Sequence, residues 1–310
     1  SPLSEVIMLN AQSAFSSLWS NAFCLMLTYR KLGIHRRMDS ATVLSIDTEP
    51  SRVRVTKSIL SCPEYLAITR LYSRVRTKLE KLTLPAGLRS GMYLIPVSLA
   101  SEVDTIIANA EDELRQLVDV FLAQYDKRIV EEESRLKAAY HTRDYPDPDT
   151  VRAAFGLTYS YITFDLPGTL ETISATMLKR EERRSMEKVN NMLEDVNTYL
   201  REAMRSLVNH LVDRLSPSES GKSKTFKSST LTNLLEFLNT FDARNLGNDI
   251  ELAQLVTTAK NVLSGVDSQL LRSDQSIANV VQNGMGTIKA QLDSLLIKKP
   301  IRLYSFDEAA

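Results

Sequence analysis

The sequence predicts a mostly α protein with a small β element, an α+β chain built around a long antiparallel helical arm or bundle. Three observations carry that prediction. Two long stretches repeat apolar residues at alternating spacings of four and three, the spacing of a helix packed along its length on another helix. Glycine and proline are scarce, ten of each in 310 residues, which suits long helices better than a turn-rich β fold. Short β-branched and aromatic runs occur only in the first hundred residues and in one later insert.

Taken in order, "CLMLTY" and "VLSIDT" read as strands, and "RVRVTKSIL" alternates before losing the alternation. From Pro63 to Leu82 the pattern turns helical through Leu66, Leu71, Val75, Leu79 and Leu82, and Pro85 with Gly87 ends it. "MYLIP" is a short extended segment closed by Pro96. The first long helix follows, with Val103, Ile107, Ala110, Leu114, Leu117 and Phe121 as its stripe, continued less regularly through Tyr125, Ile129 and Leu136. At 1.5 Å per residue, about forty residues make a rod of about 60 Å. Asp147 can cap a short helix with Pro148 at its first position, where the missing N–H costs nothing. Gly156 stops that helix, and "LTYSYITFDL" alternates as a strand up to Pro167-Gly168. Since an isolated strand is unstable, its expected home is a sheet with the N-terminal strands.

The second long helix carries Val189, Leu193, Val196, Leu200, Ala203 and Leu207. Met192, Tyr199, Met204, Val208, Leu211 and Leu215 widen its stripe, so it must meet more than one neighbour. The two long helices are expected to be antiparallel partners, with Leu114, Leu117, Phe121, Leu193, Val196 and Leu200 buried between helices. A third helical region runs from Asp249 to Leu296, where Gly284 and Gly286 are expected to weaken or bend it. This divides the chain into an N-terminal α+β part (1–96), a helical arm (97–215) with a helix–strand insert at 141–168, a flexible linker (216–230) and a C-terminal helical part (231–310).

The composition excludes several functions. Lys+Arg and Asp+Glu are both 38, so no global field draws the chain to nucleic acid or anionic lipid. The apolar stretch "NAFCLMLTYRKLG" is too short to span a bilayer and lacks the flanks of a signal peptide. Two cysteines, Cys24 and Cys62, fit reduced thiols of a cytoplasmic protein. His35, His141 and His210 are far apart and show no paired ligand spacing. Gly221-Lys222-Ser223 resembles the end of a phosphate-binding P-loop. That loop needs glycine where Ser216 stands, after a strand rather than a helix, so no nucleotide is expected there. Cys62, just before a helix start, is placed where a thiol pKa can fall, and His210 falls on the expected seam. Neither has a partner in sequence that would make it catalytic.

No catalytic, cofactor-binding or metal-ligating residue is therefore assigned. The run "LKREERRSMEK" places charge outward and apolar residues inward, with Glu181 and Arg184 able to pair. Arg180, Arg183 and Arg184 in it are the candidate partner contact. Three stretches are locally basic: "YRKLGIHRR", the Lys222–Lys227 linker and "KKPIR".

At "TLPAGLRSGMYLIPVSLASEVDTIIANAEDELRQLVDVFLAQYD", continued by "YPDPDTVRAAFGLTYSYITFDLP", the chain resembles an uncharacterised bacterial and phage family of helical proteins. Members of that family are often encoded beside MoxR-type AAA+ ATPases and von Willebrand factor A proteins. The resemblance rests on Leu84, Pro85, Gly87, Tyr93, Leu94 and Pro96, on the helix reaching "FLAQY", and on Val151, Arg152 and Phe155, over roughly residues 20 to 170. It implies a partner role and supplies no catalytic residue. The expected function is a non-enzymatic interaction or scaffold protein, with an AAA+ ATPase as the implied partner or with self-association. A nucleic-acid-binding accessory or phage structural protein is the alternative.

Overall fold

The computed structural model describes residues 17–38, 52, 54–87, 90–163, 174–216 and 226–297. Helix takes up 72% of them, which sets the mostly α class. In chain order the elements are β1 (Ala22–Arg30), β2 (His35–Met38), β3 (Val55–Ser58), α1 (Pro63–Leu82), β4 (Leu84–Pro85), β5 (Met92–Pro96), α2 (Ala100–Leu136), α3 (Pro148–Ala154), β6 (Gly156–Ile162), α4 (Ala175–Leu215), α5 (Ser228–Arg244), α6 (Ile250–Val262), α7 (Leu270–Ser273) and α8 (Gln275–Ile297). A four-stranded sheet has the order β4-β5-β1-β6, and β2 pairs with β3 alone. The insert strand β6 thus joins the N-terminal β1. The strand read in "VLSIDT" and most of the 216–230 linker lie outside the described residues.

The chain forms two compact units, each discontinuous in sequence: Ser1–Met26, Glu80–Ser101 and Tyr161–Ala310 make one, and Leu27–Leu79 with Glu102–Ser160 make the other.

In the larger unit, α4 lies antiparallel to α8. Arg205 of α4 pairs with Asp293, and eleven residues later Gln282 Nε2 donates to Ser216 Oγ at 2.8 Å, so numbering rises along one helix as it falls along the other. Val196, Leu200, Met204, Val208 and Leu211 of α4 share one core with Leu234 and Phe241 of α5, Leu252 and Val256 of α6, and Met285, Ile288 and Leu292 of α8. Ala22 and Cys24 of β1, with Leu84 and Leu94, belong to the same core. Antiparallel pairing sets Ala22 opposite Pro96 and Leu84 opposite Leu94.

Three expectations are corrected here. The two long helices do not belong together, since α4 takes α8 as its partner and nearly all of α2 lies in the other unit. Leu193 and Leu117 are half-buried, while Met192 and Val118 are buried in their place. Finally, Gly284 and Gly286 do not interrupt α8, which runs through both; the helical region breaks instead after Val262, around Gly265 at φ +71°. A Cβ on Gly284 would sit 3.0 Å from the Val262 methyl groups, so this glycine lets α8 approach α6 closely.

In the smaller unit, α1 and α2 pack through aromatic rings. Phe121 lies 6.3 Å from Tyr65, 5.7 Å from Phe155 and 5.6 Å from Tyr125, centroid to centroid. Arg128 of α2 grips Glu64 in the first turn of α1 with two parallel hydrogen bonds of 2.7 and 3.1 Å, and this pairing holds the Glu64 carboxyl below its usual range. As expected, Asp147 caps α3: its carboxylate accepts from the N–H groups of Asp149 and Thr150, with Pro148 next in the chain.

Among the described residues, the β2–β3 ribbon is held through one of its faces. Arg36 and Lys57 are cross-strand neighbours, a like-charge pairing that would be unfavourable alone. Both turn to the same clasp. Lys57 meets Asp144 at 2.6 Å and donates to the Ala139 carbonyl, while Arg36 Nη2 donates to the Asp144 carbonyl at 3.2 Å. Tyr145 completes the clasp by donating its hydroxyl to the Ile59 carbonyl at 2.9 Å.

Candidate interaction surface

Helix α4 is 41 residues long, yet its first buried residue is Val189. Of the preceding residues 175–188 none is fully buried; Leu178, Glu181, Glu182, Ser185 and Met186 are half-buried and the rest are exposed. Ser174 starts the helix by accepting from the Met177 N–H at 3.3 Å. A stretch of this length is marginal as an isolated helix. Here it is propagated from the packed part of α4, which supplies the nucleus.

Arg180, Arg183 and Arg184 are all exposed on this stretch. Glu181 is the local carboxylate, 2.8 Å from Arg184 and 3.8 Å from Arg180. Exposed pairs of this kind contribute about 0.3–0.5 kcal/mol, too little to fix the guanidinium groups in one geometry. Arg183 has no ion-pair partner among the described residues. The surface thus offers planar donors able to reorganise onto carboxylates of a partner. Spacing alone located these three residues, because charge and apolar positions alternate with the helical period.

The remaining sequence candidates fall apart in space. His35, His141 and His210 are each exposed, on β2, on the turn after α2 and on α4. The seam position expected for His210 is corrected: Val208 and Leu211 are the buried residues there, and His210 points away. Among the described residues, no three His, Cys, Asp or Glu side chains are grouped as a metal site.

Cys62 does sit at the start of α1, but the expected fall in its pKa is corrected. Burial is the largest influence, and it pushes the thiol up. Cys24, in the core of the larger unit, is pushed up to about 11 by burial. Both thiols should therefore stay unmodified by a disulfide-exchange reagent at pH 8 and react only after guanidinium is added. Stoichiometric labelling of the native protein within minutes would contradict this.

The larger unit also carries an open cleft of about 750 Å³ beside Ser17, Asn21, Val97, Ser98, Asp242, Asn245 and Asn248. Among the described residues Asp242 is the one ionisable side chain lining it, and Lys260 lies 3.4 Å from that carboxylate. Its described walls otherwise supply hydroxyl and amide groups from Ser17, Asn21, Ser98, Asn245 and Asn248.

No protein-family model, curated protein or solved structure matches this chain. No helix among the described residues is long and apolar enough to cross a membrane.

Proposed function

We propose that this protein works by contact, as an interaction or scaffold protein, and that Arg180, Arg183 and Arg184 meet its partner. The observation that carries this reading is the leading part of α4, which extends 14 residues ahead of Val189 with no fully buried side chain and with all three arginines exposed. Continuity with a packed helix makes it a stiff element, and stiff elements lower the ordering cost of association. A MoxR-type AAA+ ATPase is the candidate partner, on the strength of the family resemblance in the first half of the chain.

The test is capture of the host's MoxR-type ATPase by the purified chain and by the variant Arg180→Glu/Arg183→Glu/Arg184→Glu. The unaltered chain should retain the ATPase. The variant should lose it at least tenfold while its melting temperature stays within about 2 °C, because exposed charges contribute little to stability. Equal capture by both, or capture by neither, would overturn the assignment of this surface.

A further inference from the structure

We propose that the outward face of the β2–β3 ribbon binds double-stranded DNA. The ribbon alternates strictly. Arg36 and Lys57 turn inward to the Asp144 clasp, and both the Asp144 carboxylate and carbonyl are engaged by them. His35, Arg37, Thr56 and Ser58 occupy the other face and are exposed, as are Lys31 before the ribbon and Arg54 at its far end. Lys31, Arg37 and Arg54 have no ion-pair partner among the described residues.

The stretch leans basic. From Leu27 to Cys62 the sequence has seven Lys and Arg against three acids, Asp39, Asp47 and Glu49, which lie outside the described residues. The chain is neutral overall, but counterion release depends on the cations that reach phosphates, and a local patch suffices for it. The inward cations are spent on the clasp, which fixes the ribbon; the outward ones are left for a ligand.

Shape selects the ligand. A two-stranded β-ribbon fits the major groove of B-DNA, about 12 Å wide, whereas the deep, narrow major groove of A-form RNA does not admit it. Arginine, lysine and hydroxyl side chains are the kind that contact phosphate oxygens, and Thr56 supplies a hydroxyl here, that of Ser58 being donated to the Leu60 carbonyl. The inference is independent of the α4 surface, which lies in the other unit.

The test is fluorescence anisotropy of a labelled 20-base-pair duplex of arbitrary sequence titrated with the full chain. Binding in the range typical of non-specific contact, about 10⁻⁴–10⁻⁶ M, is expected at low salt. Three phosphate contacts predict a loss of about 40-fold between 50 and 200 mM salt. Arg37→Glu/Arg54→Glu should weaken binding at least tenfold with the melting temperature unchanged. Charge reversal at Arg180, Arg183 and Arg184 should leave it unaltered, which separates this site from the α4 surface. Absence of binding at 50 mM salt would overturn the proposal. So would equal affinity of Arg37→Glu/Arg54→Glu, or affinity for an RNA duplex or a single strand that matches or exceeds that for the DNA duplex.

Discussion

Replacing Arg244 with Met should destabilise the larger unit by about 3 kcal/mol, read as a fall in melting temperature of about 6–12 °C. Arg244 ends α5 and is only 2% exposed, yet no carboxylate pairs with it among the described residues. Its Nη2 donates instead to the carbonyls of Glu80, at 3.3 Å, and Thr83, at 3.1 Å. Those two carbonyls stand at the C-terminus of α1, where the last turn has no intrahelical donors and the macrodipole is negative. The guanidinium also lies 5.8 Å from the Tyr199 ring centroid and 5.6 Å from that of Phe237. Helix end and aromatic faces together do the work of a counter-ion.

Burial still disfavours the charge, and the Arg244 pKa is lowered below its ordinary value. Methionine fills much of the volume but removes the guanidinium donor from both carbonyls, leaving Glu80 with the Tyr199 hydroxyl at 3.2 Å. Arg244→Lys should recover part of the loss, because one ammonium can reach one carbonyl but cannot fork between them. If Arg244→Met melts within 2 °C of the unaltered protein, the capping account is wrong.

The second large effect is a contrast between neighbours. Val118→Asp should cost several kcal/mol and abolish cooperative melting of the smaller unit, whereas Leu117→Asp should cost about 1–2 kcal/mol. Val118 is 4% exposed and lies one turn from Phe121 and Leu114, inside the packed face of α2. Leu117 lies at the margin of that face, half-buried, where a carboxylate can turn to water. Thermal melts of the two variants decide between them. A larger loss for Leu117→Asp would restore the heptad seam as the packing face.

The sequence by itself determined that α1 and the two long helices are helical and that each carries an apolar stripe. It did not single out α5, whose start falls in the stretch read as a linker, or the break between α6 and α8. Helix α1 was read at Pro63–Leu82 and stands there. Asp147 and Pro148 announce the start of α3 because capping is local: a carboxylate, two N–H groups and a proline that lacks one lie within four residues. Strand β5 and most of β1 and β6 were legible as β-branched or aromatic runs, and the α4 arginines as the polar side of a periodic helix. The ribbon strand β2 was not. "HRRM" has the composition of a solvated basic cluster, and its inward arginine makes sense only once Asp144, more than a hundred residues later, supplies the clasp.

Tertiary structure alone decided the partners and the flanks. Spacing says that a helix has an apolar stripe, but every stripe in this chain is chemically similar, so α4 could not name α8 over α2. The buried positions of α4 advance in steps of four from Met192 through Val196, Leu200 and Met204 to Val208. At about 100° per residue, each such step turns the buried face by about 40°, and the four together by about 160°. A heptad reading predicts one straight seam. The helix instead presents successive flanks to different neighbours, α5 and β4 as well as α8, and that rotation is set by where those elements lie. Arg244 shows the same limit from the other side. An arginine two residues after Asp242 at a helix end reads as exposed until the C-terminus of α1 is folded against it.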